Sequence, residues 1–184
     1  MATTDVEVIE TALRKRWSFT PSVKAKGYVG TFVNATRTGK KITAQVEGNH
    51  GRYTVSIEAE PDSLTSACSC YIGKGGFCHH CEALAHTFLE HPRRFKAIKS
   101  KKLQDVKRLD QLSEPLRATT LDALLKELKA RGVSQKAVAE SIGMNPRHLG
   151  AIKSSELRNR YYNELGATKL ACLWVLEHLP KKKR

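Results

Sequence analysis

The chain has 184 residues, with 32 Lys and Arg against 18 Asp and Glu, a formal net charge of +14. That length predicts one or two small domains; 40% hydrophobic residues suffice for one or two modest cores, while 7% aromatics exclude a single large aromatic-rich one. No apolar run reaches the ~18 residues of a membrane span, the acidic opening MATTDVEVIE does not read as a signal peptide, and the positive balance favours a polyanion as partner, nucleic acid first.

Val6, Ile9, Leu13 and Trp17 fall on one helical stripe, so a short amphipathic helix opens the chain, and Pro21 ends it. Three segments of period two follow. Tyr28, Gly30 and Phe32 share one face of the first, Ile42, Ala44 and Val46 of the second, and Tyr53, Val55, Ile57 and Ala59 of the third. Turns at Thr38-Gly39-Lys40 and at Gly48 to Gly51 make this an antiparallel meander with one buried face. Three strands alone hide too little surface to be stable, so something must cover that face. Residues 79–91 supply a helix, with Cys81, Leu84, Ala85 and Phe88 at i, i+3, i+4 and i+7, ending at His91-Pro92. From Arg93 to Ala118 periodicity fades, charge rises and Pro115 interrupts, which reads as a basic linker.

Residues 119–179 read as helical, punctuated by Gly132, Gly143 and Gly166. Leu121, Leu124, Leu125 and Leu128 form a stripe capped by Thr119 or Thr120. Ser134 caps a helix from Gln135 to Ile142; Asn145 caps another, with Pro146 at its first position. Leu170, Leu173 and Trp174 read as the packing face of a last helix.

Charge is unevenly spread. Residues 1–91 carry net +1, residues 92–118 net +6, residues 119–179 net +3 and the last five residues net +4. The grip on a polyanion therefore belongs to the middle segment (Lys101, Lys102, Lys107, Arg108), the helical half and the tail (Lys181, Lys182, Lys183). PKKKR also looks like a nuclear-localisation segment, and equally like a DNA-contacting arm.

Four of the five cysteines crowd into fourteen residues: Cys68-Ser69-Cys70, seven residues, then Cys78-His79-His80-Cys81. In a chain read as unsecreted this points to metal before disulfides. Zinc takes four N or S ligands, and a structural site fills all four. Cys68 and Cys70 can both face one metal from a turn after the third strand. Gly73, Gly75 and Gly76 let the loop fold back, and Cys78 sits where a helix N-terminus favours a thiolate-rich site. His79, His80 and Cys81 compete for the fourth place, although Cys81 lies on the apolar stripe and reads equally as core. The order C-x-C-x7-C-x-H after a strand, with an apolar helix behind it, resembles the SWIM zinc-finger family over about residues 25–91. That resemblance implies Cys68, Cys70, Cys78 and His80 as ligands. His79 and Cys81 beside the ligand histidine depart from the family's commoner form and keep Cys81 as a substitute ligand. A redox pair Cys78/Cys81 lacks a βαβ context. The H-x-E of His80-Cys81-Glu82 overlaps the cysteine pair that should follow it in a zinc deaminase. The site reads as structural, and the chain as no enzyme.

In the helical half, Val138, Ile142, Met144, Leu149 and Ile152 occupy the apolar positions, Ala139 the small one and Gly143 the turn glycine of a helix-turn-helix. The stretch 119–179 resembles the Cro/lambda-repressor-type family. Carried over, the resemblance implies a third helix in the major groove and nominates Gln135, Asn145, Arg147, His148, Ala151 and Lys153. Arg147 suits guanine and Ala151 a thymine methyl; Asn145 reads more as a cap, and Lys136 and Lys153 suit phosphates.

The expectation is an α+β zinc module over 1–91 (helix, three-stranded antiparallel sheet, zinc-tied helix), a basic linker over 92–118, an all-α helix-turn-helix domain over 119–179 and a basic tail over 180–184. The function expected is a zinc-containing double-stranded DNA-binding protein, a transcriptional regulator or accessory DNA-processing factor. Its zinc module is structural or recruits a protein or RNA partner. The alternative is a protein/RNA adaptor subunit of a nucleoprotein complex. A dimer is compatible with either, no membrane is involved, and the expected place is the cytoplasm at the nucleoid, or the nucleus in a eukaryote.

Overall fold

A computed structural model of the chain describes residues 4–17, 19–60, 63–98, 105–108, 111–112, 115–116, 119–160 and 164–178. The chain divides into two units, Met1–Lys99 and Ser100–Arg184. Among the described residues the architecture is α+β: a five-stranded sheet and seven α-helices, none long and apolar enough to cross a membrane.

In the first unit, helix α1 (Asp5–Arg16) starts at a capping box. The Thr4 N–H donates to Glu7 Oε2 at 2.8 Å, and the Glu7 N–H donates back to Thr4 Oγ1 at 3.3 Å, satisfying two of the free donors of the first turn. Its buried stripe is Ile9 and Leu13, as the spacing predicts. A short helix α2 (Val23–Lys26), capped by Ser22, follows. The strands are β1 (Val33–Thr38), β2 (Lys41–Gly48), β3 (Gly51–Ala59), β4 (Leu64–Cys68) and β5 (Lys96–Ala97). Their order is β4-β3-β2-β1-β5, with β1–β5 parallel and the other pairs antiparallel. Ile42, Ala44, Val46, Val55, Ile57 and Ala59 are buried, the alternation expected of β2 and β3. Helix α3 (His79–Glu90) and α1 supply the missing cover: Cys81, Leu84, Ala85 and Phe88 are fully buried in one core with Ile9 and Leu13.

Three expectations need correction here. The three-stranded antiparallel sheet is a five-stranded mixed one. β4 reads Leu-Thr-Ser-Ala-Cys, pairs with Val55–Ala59 and gives only Leu64 and Cys68 to the core, and β5 has two residues; both are too short to show a period. Tyr28, Gly30 and Phe32 all precede the first strand instead of lying in it; the chain turns there, with the Tyr28 N–H on Ala25 O (2.9 Å), the Thr31 N–H on Tyr28 O (3.2 Å) and Gly30 at φ +78°. Finally, the first unit continues past residue 91. The Phe95 ring packs edge-on to Phe88 at 4.9 Å, Arg94 Nη1 donates to Gly30 O at 3.1 Å, and β5 pairs with β1. The start of the expected linker thus belongs to this fold.

The second unit contains α4 (Leu121–Ala130), α5 (Gln135–Ser141), α6 (Pro146–Leu157) and α7 (Leu165–His178). Thr120 Oγ1 accepts from the Ala123 N–H (3.2 Å), Ser134 Oγ from the Ala137 N–H (3.1 Å) and Asn145 Oδ1 from the Arg147 N–H (2.8 Å), so each helix starts at its expected cap. Leu121, Leu124, Leu125, Leu128, Val138, Ala139, Leu149 and Ile152 form the core with Leu165, Cys172 and Leu176. The packing face of α7 agrees with the expected one at Leu173, which packs half-buried against this core, and otherwise differs. Trp174 is 57% exposed and stacks on His178 at 4.2 Å, and Gly166 lies inside the helix instead of punctuating it. The buried stripe is Leu165, Thr168, Lys169, Cys172 and Leu176. Its fulcrum is a charge: Lys169 forms a buried ion pair with Glu156, and its Nζ donates to Leu116 O at 2.7 Å. Glu156 also accepts the Leu121 N–H at the start of α4. A lysine at a core position is invisible to an apolar-periodicity argument.

Candidate functional site

Three elements of the first unit bring the cysteine–histidine segment together. β4 ends at Cys68, which sits opposite Val55 in the β3 register. Between the two leading cysteines, the Ser69 N–H bonds Thr54 O (3.0 Å) and Ser69 Oγ accepts the Thr54 N–H (3.0 Å), so this segment is anchored to β3 on both sides of one residue. A 3-10 turn, Ile72–Gly75, then carries the chain back. A Cβ at Gly73 would stand 2.5 Å from the Cys68 carbonyl oxygen, so only glycine permits this approach. Phe77 takes the left-handed conformation (φ +55°), uncommon for a bulky residue; its N–H is held by Ser66 Oγ at 2.9 Å. Cys78 is the N-cap of α3, and His80 lies in the first turn.

The result is a buried Cys3His group. The Sγ atoms of Cys68, Cys70 and Cys78 and a ring nitrogen of His80 all lie within 4.8 Å of one another, and all four residues are buried. Cys70 Sγ to Cys78 Sγ is 3.7 Å, Cys68 Sγ to His80 Nδ1 is 3.7 Å and Cys78 Sγ to His80 Nδ1 is 3.9 Å. A tetrahedral metal with metal–sulfur bonds of about 2.3 Å and a metal–nitrogen bond of about 2.0 Å sets sulfur–sulfur edges of about 3.8 Å and sulfur–nitrogen edges of about 3.5 Å. The group therefore fits a metal ion. Backbone donors already face the sulfurs: the Gly73 N–H lies 3.1 Å from Cys70 Sγ and the Cys70 N–H 3.5 Å from Cys68 Sγ. The His80 ring is wedged between Tyr28 (4.7 Å between centroids, edge-on) and Tyr53 (5.1 Å), which fixes its orientation.

Electrostatics describe the same need for a cation. Hydrogen bonds from Cys68 and Cys81 pull the Cys78 thiol far down, while the shared bond to Cys78, together with burial, pushes Cys68 and Cys81 far up. Burial likewise raises Cys70. Burial and mutual contact thus favour shared protons among these sulfurs, and a cation held by the group would take the place of those protons. Burial lowers His79, and the adjacent His80 adds to the effect. Cys81 lies behind Cys78, its Sγ 3.6 Å from that sulfur, fully buried in the core and outside the four-atom group. Among the support residues that spacing does not announce is Glu82: its carboxylate accepts both the Ser22 N–H (2.8 Å) and the Ser22 hydroxyl (2.7 Å), tying α2 to the start of α3.

The nominated nucleic-acid residues are differently placed. Arg147, His148 and Ala151 are exposed on α6, with Asn145 at its cap, while Leu149 and Ile152 on the opposite face are fully buried. Gln135 is half-buried at the start of α5. Lys153 and Lys136 are engaged locally, Lys153 with Asp122 at 3.5 Å and Lys136 with Glu140 at 3.7 Å. Lys107 and Arg108 are exposed. Lys101, Lys102, Lys181, Lys182 and Lys183 lie outside the described residues. Of the seven positions that define the α5–α6 pattern, Ile142 departs: it is 37% exposed, in the turn after α5, while Gly143 has φ +68°.

Compared with protein-family models, curated proteins and solved structures, the chain matches none.

Proposed function

We propose that this chain is a zinc-containing, double-stranded DNA-binding protein, a transcriptional regulator or an accessory factor of DNA processing. In this reading α5, its turn and α6 form a helix-turn-helix, and α6 enters the major groove. The observation that carries it is the division of α6: Leu149 and Ile152 anchor it to the core, and Arg147, His148 and Ala151 remain exposed near its capped start. Recognition helices of this kind meet base edges through such N-terminal residues. Arg147 has no ion-pair partner among the described residues, which leaves its guanidinium available for the paired acceptors of guanine. Zinc suits the Cys3His centre because the donors are thiolate and imidazole and the observed separations match its bond lengths. The centre has a structural role here: four ligands leave no open coordination position.

Selection of bound sequences from a pool of random duplexes tests this. The wild-type chain should enrich a defined site, and Arg147→Ala should relax preference at one base position at a cost of ~1–3 kcal/mol. A selected pool without sequence preference, or an Arg147→Ala variant indistinguishable from wild type, overturns the reading. The adaptor reading draws on Lys136 and Lys153, whose charges are partly engaged by Glu140 and Asp122. Its signature is weak duplex binding that is indifferent to Arg147.

A further inference from the structure

The last turn of α1 and the segment after it place Arg14, Lys15, Arg16 and Trp17 in succession, with Phe19 two residues on. Trp17, Phe19 and Leu89 line a half-open cleft of about 180 Å³, with Arg14, His86 and Glu90 at its polar edges. Phe19 is 88% exposed. Beside Trp17 stands Phe77, with ring centroids 6.0 Å apart, and the Arg16 guanidinium lies 4.3 Å from the Phe77 ring centre. His86 is 4% exposed, and its Nε2 has no hydrogen-bond partner among the described residues. A buried polar atom left unpaired is costly, so it marks a place where a partner is missing.

A structural reading accounts for only part of this. Three cations in the last turn of α1 complement the helix dipole, and a single exposed aromatic is ordinary. Trp17 is half-buried against the core, but neither explains why the exposed Phe19 and an unsatisfied buried histidine share its cleft. Nor do they explain why Arg14 and Lys15 make no ion pair with any described residue.

We propose that this cleft binds unpaired bases of single-stranded DNA. Trp17 and Phe19 stack on a base, Arg14 and Lys15 take the flanking phosphates, and His86 Nε2, buried in the cleft wall, gains a partner only as the wall opens to the ligand. Exposed aromatics interleaved with cations are what single-strand binding uses, because every base has a π-face and the backbone a regular charge. Stacking and phosphate contact need no 2′-hydroxyl, so single-stranded DNA meets every contact proposed, and an oligouridylate arm of the test separates it from RNA. The site is in the first unit and does not depend on how α6 is used.

The test uses the full-length, metal-loaded chain carrying Trp174→Phe, so that only Trp17 reports by fluorescence. Fluorescein-labelled oligodeoxythymidylate should bind with quenching of Trp17 that follows the anisotropy change. Phe19→Ala should weaken binding about 10- to 100-fold, with metal content and melting unchanged. Arg14→Gln should lower the salt dependence, and Arg147→Ala should leave oligonucleotide binding as it was. The proposal is overturned by binding without Trp17 quenching, by indifference to Phe19→Ala, or by loss of binding in Arg147→Ala. Tighter binding to oligouridylate overturns the assignment to DNA, and Trp17 quenching by an apolar peptide but not by the oligonucleotide reassigns the cleft to a protein partner.

Discussion

Replacing one sulfur of the Cys3His group tests whether that group holds the first unit together. In Cys70→Ser a hydroxyl replaces a thiolate at a position 4% exposed, within 3.7 Å of Cys78 Sγ and under the Gly73 N–H. Structural zinc contributes ~10–16 kcal/mol of apparent binding free energy in finger peptides. A whole domain is stable by only ~5–15 kcal/mol. Losing even half of the metal's contribution therefore removes most of the stability of Met1–Lys99. The 3-10 turn at Ile72–Gly75 and the left-handed Phe77 should go first, since they lie between Cys70 and Cys78, the two sulfurs that the metal would tie together. The assay is metal content by atomic emission together with cysteine alkylation at pH 8 read by mass spectrometry. Wild type should hold one metal per chain and resist labelling. A chelator should expose Cys68, Cys70, Cys78 and Cys81. Cys172, fully buried in the separate leucine core, with its thiol pushed up to about 11 by burial, should stay unlabelled until denaturant is added. Cys70→Ser should purify without stoichiometric metal and label like the chelated protein, whereas Cys81→Ser should retain its metal. A Cys70→Ser variant with one metal per chain and unchanged melting would refute the assignment of this sulfur as a ligand.

Two further outcomes concern the second unit. Glu156→Ala should destabilise it by ~3–5 kcal/mol in urea melts, because Lys169 is left charged and buried and the Leu121 N–H loses its acceptor; pairing Glu156→Gln with Lys169→Met should recover much of that loss, and strictly additive costs would show that the two groups do not act as a pair. Asp122 is held below the usual carboxylate range by its hydrogen bond to Lys126, with Lys153 adding to the effect against partial burial. A depressed folded value contributes stability that is fully present above the unfolded value of ~3.9 and is lost as pH falls through the folded one. The acid limb of the second unit's melting curve should therefore begin below about pH 4 and flatten in Asp122→Asn; an unchanged limb assigns the acid sensitivity to other carboxylates.

What could be read from residues alone follows a physical rule: elements that bury one regular face declare themselves, and elements held by their neighbours do not. Ile9 and Leu13, the alternation from Ile42 to Ala59, the Cys81–Phe88 stripe and Leu121 to Leu128 are legible because burial at a fixed period leaves the same period in the sequence. The caps Thr120, Ser134 and Asn145 are legible because a side-chain oxygen must meet a free N–H there. β4 and β5 are not: the first has five residues, with Thr65 and Ser66 between Leu64 and the pair Ala67-Cys68, the second has two, and each pairs with the edge of a neighbouring strand. Trp174 reads as a packing residue, yet it is exposed and α7 instead buries Lys169 against Glu156, a charge pair that no local pattern encodes.

The Cys3His group shows the same division at the scale of a site. Four donors within fourteen residues are a local signal, and the structure gathers Cys68, Cys70, Cys78 and His80 into one buried group. What makes that group rigid is non-local: Thr54 on β3 holding Ser69 between the sulfurs, Ser66 on β4 holding Phe77, Tyr28 and Tyr53 flanking the imidazole, and Glu82 binding Ser22 sixty residues away. These contacts also explain why His80 and not the adjacent histidine joins the three sulfurs. His79 and His80 point about 100° apart around a helix, and only His80 turns inward, with a residue exposure of 3% against a half-buried His79. The helix register thus selects the nitrogen donor, and the sheet supplies the fixed frame against which α3 is wound. A substitution that shifts α3 by one residue, such as a deletion within His79–Glu90, should abolish metal binding with all four donors still present in the chain.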